Sequence, residues 1–411
     1  MKKRLYRVLI IFDQTFFYNC FSVRIQFIKV FFYRVDNKEE DDLSYTVYIT
    51  DHSRHGTFVN GVKLTHQLPV VLNSQSTISL CQAKIEVLHF IDFQVDDIVL
   101  PPPINKIYRS GLMVGKGGFG EVYFSYNLST NLICATKRVR RDRSTRFFLK
   151  SKSHLQIEDD KLVEARIIKD VCHPNIVGVY DVIIDREYFY IVLEYASGGD
   201  LLGRINNVTS HDWNEQKAQF YFIQAALATN HLHSLGITHR DIKLQNMLLM
   251  DHRSFTQLKL SDFGLSKILN DEVSYMKTLV GTPHYLAPEL IKALVNTSQD
   301  CHYHSKVDLW ALGVVLFMLL VRRYPFYAEN RDLLYSKILQ RSYSFRQDLW
   351  GGVSELAKNV VTKLLQPEEE RIDSFSLLQQ PWVKNEEMVK FISEMPTGRE
   401  QVPNCKWQIL Q

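Results

Sequence analysis

His239-Arg240-Asp241-Ile242-Lys243-Leu244-Gln245-Asn246 sets a carboxylate, an ammonium and an amide within one short string. These are the groups needed to handle a phosphate and the hydroxyl that attacks it. Asp241 is suited to accept the proton of an incoming hydroxyl and Lys243 to neutralise charge on the transferring group. Asn246 has an oxygen to offer Mg²⁺. Eight residues can equally form a polar loop after an amphipathic helix, so the reading depends on partners elsewhere in the chain.

The first partner lies upstream. Gly115-Lys116-Gly117-Gly118-Phe119-Gly120-Glu121-Val122 sits between two apolar, β-favouring runs. A turn without side chains can lie close over nucleotide phosphates and donate backbone N–H groups to them. Dinucleotide-binding folds share this glycine spacing but follow it with a helix. Here Val122-Tyr123-Phe124-Ser125-Tyr126 continues as a strand. Next comes Ile133-Cys134-Ala135-Thr136-Lys137, also strand-like, and then Lys161 to Lys169, whose apolar spacing is helical and which carries Glu164. Downstream, Leu258-Lys259-Leu260-Ser261 leads into Asp262-Phe263-Gly264, and Gly281-Thr282-Pro283 runs on to Glu289.

In this order the motifs resemble the protein kinases, over about Ile107 to Val383. The resemblance implies an α+β, bilobal fold and the cofactors ATP and Mg²⁺. Gly115 to Gly120 with Val122 would cover the nucleotide, beside Ala135. Lys137, oriented by Glu164, would bind the α- and β-phosphates. Leu193 would guard the back pocket, while the backbone of Glu194 and Ala196 would pair with adenine. Asn246 and Asp262 would hold the metal, with Asp241 and Lys243 catalytic. Lysine two residues after Asp241 implies serine/threonine specificity. Asp200, after Gly198-Gly199, would receive a basic residue upstream of the acceptor, or else simply cap the following helix. Because Arg240 precedes Asp241, activation by phosphate on the segment between Asp262 and Glu289 is expected, at Thr278 first and Thr282 second. Asp308 and the Glu289–Arg371 pair take structural roles in this family.

The first hundred residues read differently. Phe27–Val35 and Tyr45–Thr50 look like strands, with others near Thr77–Leu80 and Ile85–Phe90, and Asn60-Gly61 is a hairpin signal. Closely spaced strands with turn punctuation suggest an all-β sandwich. Asp51 to Gly61 resembles the loop and strand of a forkhead-associated domain, a sandwich that binds phosphothreonine peptides. The family's Gly-Arg pair is absent, Ile25 stands where its histidine should be, and His55 replaces its asparagine. The sandwich is therefore expected to be partial or diverged. Ser22, Arg54, Thr57 and Asn60 are its phosphopeptide candidates, Thr57 and Asn60 being equally plausible as turn residues. Guanidinium groups suit phosphate, so Arg24 or Arg54 could replace the missing anchor.

At 411 residues the chain is long enough for two or three units. Apolar residues form 45% and charged ones 23%, as in soluble globular proteins. A net charge of +4 is too slight to indicate direct nucleic-acid binding. Six scattered cysteines without a Cys-x-x-Cys pair fit a reducing compartment. The apolar run Leu309–Val321 is shorter than the roughly 20 residues a membrane helix needs, and reads as a core helix. Met1 to Phe12 is faintly signal-like, though Arg7 interrupts it. Pro101-Pro102-Pro103 favours an extended spacer. The expected organisation is therefore 1–93 sandwich, 94–106 linker, 107–384 kinase and 385–411 tail.

A β-domain of this kind before a kinase, with Thr278-Leu279-Val280-Gly281-Thr282-Pro283 and an insertion ahead of the Glu164 helix, resembles the checkpoint kinase 2 family. That resemblance implies nuclear, DNA-damage or meiotic checkpoint duty on protein substrates, a phosphothreonine partner and a transient homodimer. Two alternatives stay open. A calcium/calmodulin-like kinase should carry a basic amphipathic helix after its catalytic part, and Glu386 to Gln411 does not offer one. A pseudokinase scaffold is opposed by the intact Lys137, Asp241, Asn246 and Asp262.

Overall fold

The computed structural model describes residues 8–12, 28–34 and 45–51, most of 56–140 and 169–263, and residues 283–295 and 304–395. Glu164, Gly118, Phe119, Thr278, Thr282, Ser22 and Arg54 fall outside the described residues. The chain forms two compact units: one takes in residues 1–114, the other 130–411, and the intervening stretch is divided between them.

The N-terminal unit holds β1 (Val8–Phe12), β2 (Ile28–Arg34), β3 (Tyr45–Asp51), β4 (Thr57–Val59), β5 (Val62–Lys63), β6 (Val70–Val71), β7 (Thr77–Leu80) and β8 (Glu86–Asp92). Five of these form a sheet in the order β1-β8-β7-β4-β5, and three form a second in the order β2-β3-β6. Every pairing is antiparallel. Along the β1–β8 pair, Val8 stands opposite Asp92 and Phe12 opposite Leu88.

Asn60 and Gly61 take φ of +50° and +77°, the left-handed pair a two-residue hairpin requires. Asn60 Oδ1 accepts from the Thr77 backbone N–H at 2.8 Å, fastening the turn to β7. Thr57 is corrected as a phosphopeptide contact. It is fully buried, and its hydroxyl donates to Asp51 Oδ1 at 2.7 Å. Thr57→Val is expected to destabilise this unit by about 1–2 kcal/mol, the usual cost of withdrawing a donor from a buried acceptor. Chemical denaturation of the full chain measures this, and any phosphothreonine-peptide affinity should be unchanged.

Pro102 and Pro103, on which the extended spacer rests, lie outside the described residues. Leu100 and Ile104 are buried, and Ile104–Lys106 forms a 3₁₀ turn in which Ile107 N–H donates to Ile104 O at 2.9 Å. Apolar side chains flanking the prolines draw this end of the stretch into the unit. Among the cysteines, Cys134 is a buried free thiol. Cys172 is disulfide-bonded, which the scattered spacing does not foretell.

Strands β9 (Tyr108–Gly117) and β10 (Gly120–Asn127) flank the glycine-rich turn. β11 (Ile133–Arg140), β12 (Val179–Ile184) and β13 (Tyr188–Glu194) pair antiparallel, with β13 in the middle of these three. In the larger, helical part, α1 (Leu201–Asn207) precedes α2 (Glu215–Ser234). Asn214 caps α2 by accepting from Lys217 N–H. Helix α2 buries residues on every side, from Ala218 to Leu232, as a central core helix should. A hairpin of β14 (Met247–Leu249) and β15 (Leu258–Leu260) follows. Further along come α3 (Pro288–Val295) and α4 (Lys306–Val321), the latter confirming the apolar run as a buried helix. Among the described residues, no helix is long and apolar enough to cross a membrane.

Candidate active site

Strand register fixes the nucleotide side of the cleft. Ala135 stands opposite Leu193, and Lys137 opposite Ile191, across the β11–β13 pair. Gly120 has φ of +135°, and a Cβ there would sit 2.2 Å from Arg138 O. Only glycine lets the turn return so closely along β11. Glu121 receives the Arg138 guanidinium at 2.6 Å, and Lys116 Nζ lies 3.2 Å from Glu121. The far end of the glycine turn is thereby tied to β11.

Lys137 is almost completely buried, and its Nζ lies 2.6 Å from Asp262 Oδ1. This joins β11 to the residue two positions past β15. Asp262 adopts φ of +67°, unusual for a side chain other than glycine and held here by its surroundings. Phe263 beside it is buried in the core.

The string 239–246 is assembled by its own side chains. Lys243 Nζ approaches Asp241 Oδ2 at 2.7 Å and Oδ1 at 2.9 Å. Asn246 Nδ2 donates to both Asp241 O and Asp241 Oδ2, each at 2.8 Å. The Asn246 amide nitrogen is thus committed to Asp241, which leaves its oxygen for a cation. Asn246 O in turn accepts from Ser261 N at 2.8 Å and Ser261 Oγ at 3.0 Å. Ser261 adjoins Asp262, so the two expected metal-binding residues are linked through a single peptide. An amide oxygen and a carboxylate so placed suit a hard divalent ion such as Mg²⁺.

The string is also anchored from below. Asp308, buried at the start of α4, accepts from His239 N at 2.7 Å and Arg240 N at 2.9 Å, with His233 Nε2 at 2.9 Å. A carboxylate so buried needs such donors. His239 Nδ1 accepts from Asp241 N, so Nε2 carries the proton and donates to Ser261 O at 2.9 Å. Arg240 takes φ of +70° between these anchors.

Other expected residues divide. Glu289 and Arg371 form a two-pronged pair at 2.7 and 3.0 Å. Asp200 caps α1, its Oδ1 accepting from Gly203 N at 2.8 Å. The Glu194 side chain turns inward: Oε1 lies 2.9 Å from Lys259 Nζ, and Oε2 accepts from Gly178 N at 3.0 Å. Glu194 can therefore serve a nucleotide through its backbone only. No sequence motif singles out Lys259 and Ser261, although both lie in the short stretch leading to Asp262.

The protein kinase domain family matches residues 108–383, and the FHA domain family matches residues 31–81. The ovarian-specific serine/threonine-protein kinase Lok of Drosophila melanogaster is 35% identical over 351 residues, covering 85% of this chain and 72% of that one. The serine/threonine-protein kinase chk-2 of Caenorhabditis elegans is 31% identical, over 84% of this chain and 71% of that protein. Measured against two longer Dictyostelium discoideum kinases at 32% identity, the chain spans about half their length, 47% and 50%. The solved structure of Rad53 1-466 in complex with AMP-PNP matches with a TM-score of 0.54 and 25% identity, covering 82% of each chain. The chain belongs to the serine/threonine protein kinases that pair an FHA domain with a kinase domain, the checkpoint kinase 2 family.

Proposed function

We propose that this kinase transfers the γ-phosphate of ATP to serine or threonine in checkpoint target proteins, using Asp241 to orient and deprotonate the acceptor hydroxyl. The observation that carries the reading is the convergence of Lys137–Asp262 with Asp241–Lys243–Asn246, joined through Ser261. Lys137 would neutralise the α- and β-phosphates, and Lys243 would follow charge onto the transferring group while holding the Asp241 carboxylate in line. Asn246 and Asp262 would hold Mg²⁺, which supplies charge neutralisation between the β- and γ-phosphates when bound. Support for ATP comes from the related Rad53 structure, which holds AMP-PNP.

Arg240, fixed by Asp308, would receive a phosphate on Thr278, or on Thr282, and so order the segment that carries it. Asp200, while capping α1, presents a carboxylate suited to a basic residue upstream of the acceptor. The FHA domain would recruit a phosphothreonine partner or a second copy of the chain, and the work would be nuclear, in DNA-damage or meiotic surveillance.

One experiment tests activity and regulation together. Purified chain incubated with Mg²⁺ and ATP is expected to phosphorylate a basic serine/threonine peptide and itself, with Thr278 the principal site by peptide mapping. Autophosphorylation mapped elsewhere, with Thr278→Ala fully active, would remove the Arg240–Thr278 switch. Complete absence of transfer would favour the scaffold.

A further inference from the structure

A buried ion pair underlies the hinge, the backbone of Glu194 to Ala196 that would pair with adenine. Lys259 is completely buried in the middle of β15, and Glu194 at the end of β13 is 8% exposed. Their charged atoms lie 2.9 Å apart. A lysine sealed from water is strongly disfavoured unless a carboxylate meets it.

The pair is the centre of a larger fixture. Gly178 engages Glu194 twice: its N–H donates to Oε2 at 3.0 Å, and its carbonyl accepts from Glu194 N at 2.8 Å. The strand carrying Lys259 is held on both sides. Leu260 N donates to Asn175 O at 2.8 Å and Val177 N to Leu260 O at 3.0 Å. Leu258 N donates to Gln224 Oε1 at 2.8 Å, and Asn175 Nδ2 donates to Leu258 O at 3.0 Å. Lys259 is therefore presented by a backbone with little freedom, and Glu194 is the side chain that adapts to it.

We propose that Lys259 is a positioning residue for nucleotide binding. By holding the Glu194 carboxylate inward, it sets the backbone of Glu194 to Ala196 at the angle adenine requires. The same strand leads, two residues past its end, to Asp262, so one lysine relates the adenine end of the cleft to its phosphate end. The inference rests on the ATP reading above. With an apolar side chain at 259, the Glu194 carboxylate would lose its buried counter-charge and swing toward water, taking the hinge backbone with it.

The test titrates the full chain with a fluorescent ATP analogue and separates KM from kcat on a peptide substrate. Lys259→Met is expected to weaken nucleotide binding and raise the ATP KM by about tenfold, while kcat stays within about twofold and peptide KM is unchanged. Lys259→Arg should restore most of the affinity, because the charge is returned. If Lys259→Met gives no cooperative melt, the isosteric Glu194→Gln carries the test, with an expected loss of about three- to fivefold in nucleotide affinity. Wild-type nucleotide affinity in the variant tested overturns the proposal. So does a fall in kcat at unchanged ATP KM, the signature of a general structural lesion. Failure of the unmodified chain to bind nucleotide is a different result, and it would overturn the ATP reading itself.

Discussion

Asp241→Asn is expected to lower peptide phosphorylation by about a thousandfold while leaving nucleotide affinity within about twofold. The asparagine keeps the size of the side chain and one oxygen that can still accept from Asn246 Nδ2, now 2.8 Å from the carboxylate. Asp308 grips the loop through the backbone of His239 and Arg240, which the substitution leaves alone. What disappears is the negative charge that pairs with Lys243 and that would take the hydroxyl proton. Lys137 and Asp262, which face the nucleotide side, are untouched. Single-turnover transfer to a peptide, set beside equilibrium titration with a nucleotide analogue, separates the two effects. Equal and negligible transfer by both proteins would assign the domain to scaffolding, whatever its motifs.

Much of this site was legible because kinase chemistry fixes residue types at short range. Asp241, Lys243 and Asn246 lie on one string, and their mutual hydrogen bonds follow directly from that spacing. The Asn-Gly turn was legible for a similar reason, since its positive φ values are local properties of the residues. Lys259 was not. In Leu258-Lys259-Leu260 the alternation suggests an outward-facing lysine, yet all three residues are fully buried. The strand is covered on both faces, and its charge partner lies far away in sequence at Glu194. Thr57 misled in the opposite sense. Within a recognisable loop its hydroxyl suits a ligand or a turn equally, and its burial and pairing with Asp51 show that it faces inward. Likewise, consecutive prolines set a local preference for extension, but the burial of Leu100 and Ile104 beside them is a tertiary effect.

Arg371→Met is expected to destabilise the kinase unit by about 3–5 kcal/mol, the usual result of removing one member of a buried ion pair. The guanidinium is fully buried and holds both oxygens of Glu289, at 2.7 and 3.0 Å. It also donates to Lys306 O at the start of α4, and to Gln366 O from two of its nitrogens. Its flat face lies over the Trp310 ring, 5.1 Å from the centroid. Methionine fills much of the stem volume but supplies none of the donors, so Glu289 and two carbonyls lose their partner together. Because Glu289 lies in the first turn of α3 and Lys306 opens α4, the loss should loosen the starts of both helices. A thermal melt should show the kinase transition falling by about 10 °C, taking 2–4 °C per kcal/mol for a unit of this size. Glu289→Met combined with Arg371→Met should cost less than Arg371→Met alone, since no carboxylate then remains without its cation. Additive losses in that cycle would show that Arg371 acts through the carbonyls and Trp310, and that the pair with Glu289 contributes little.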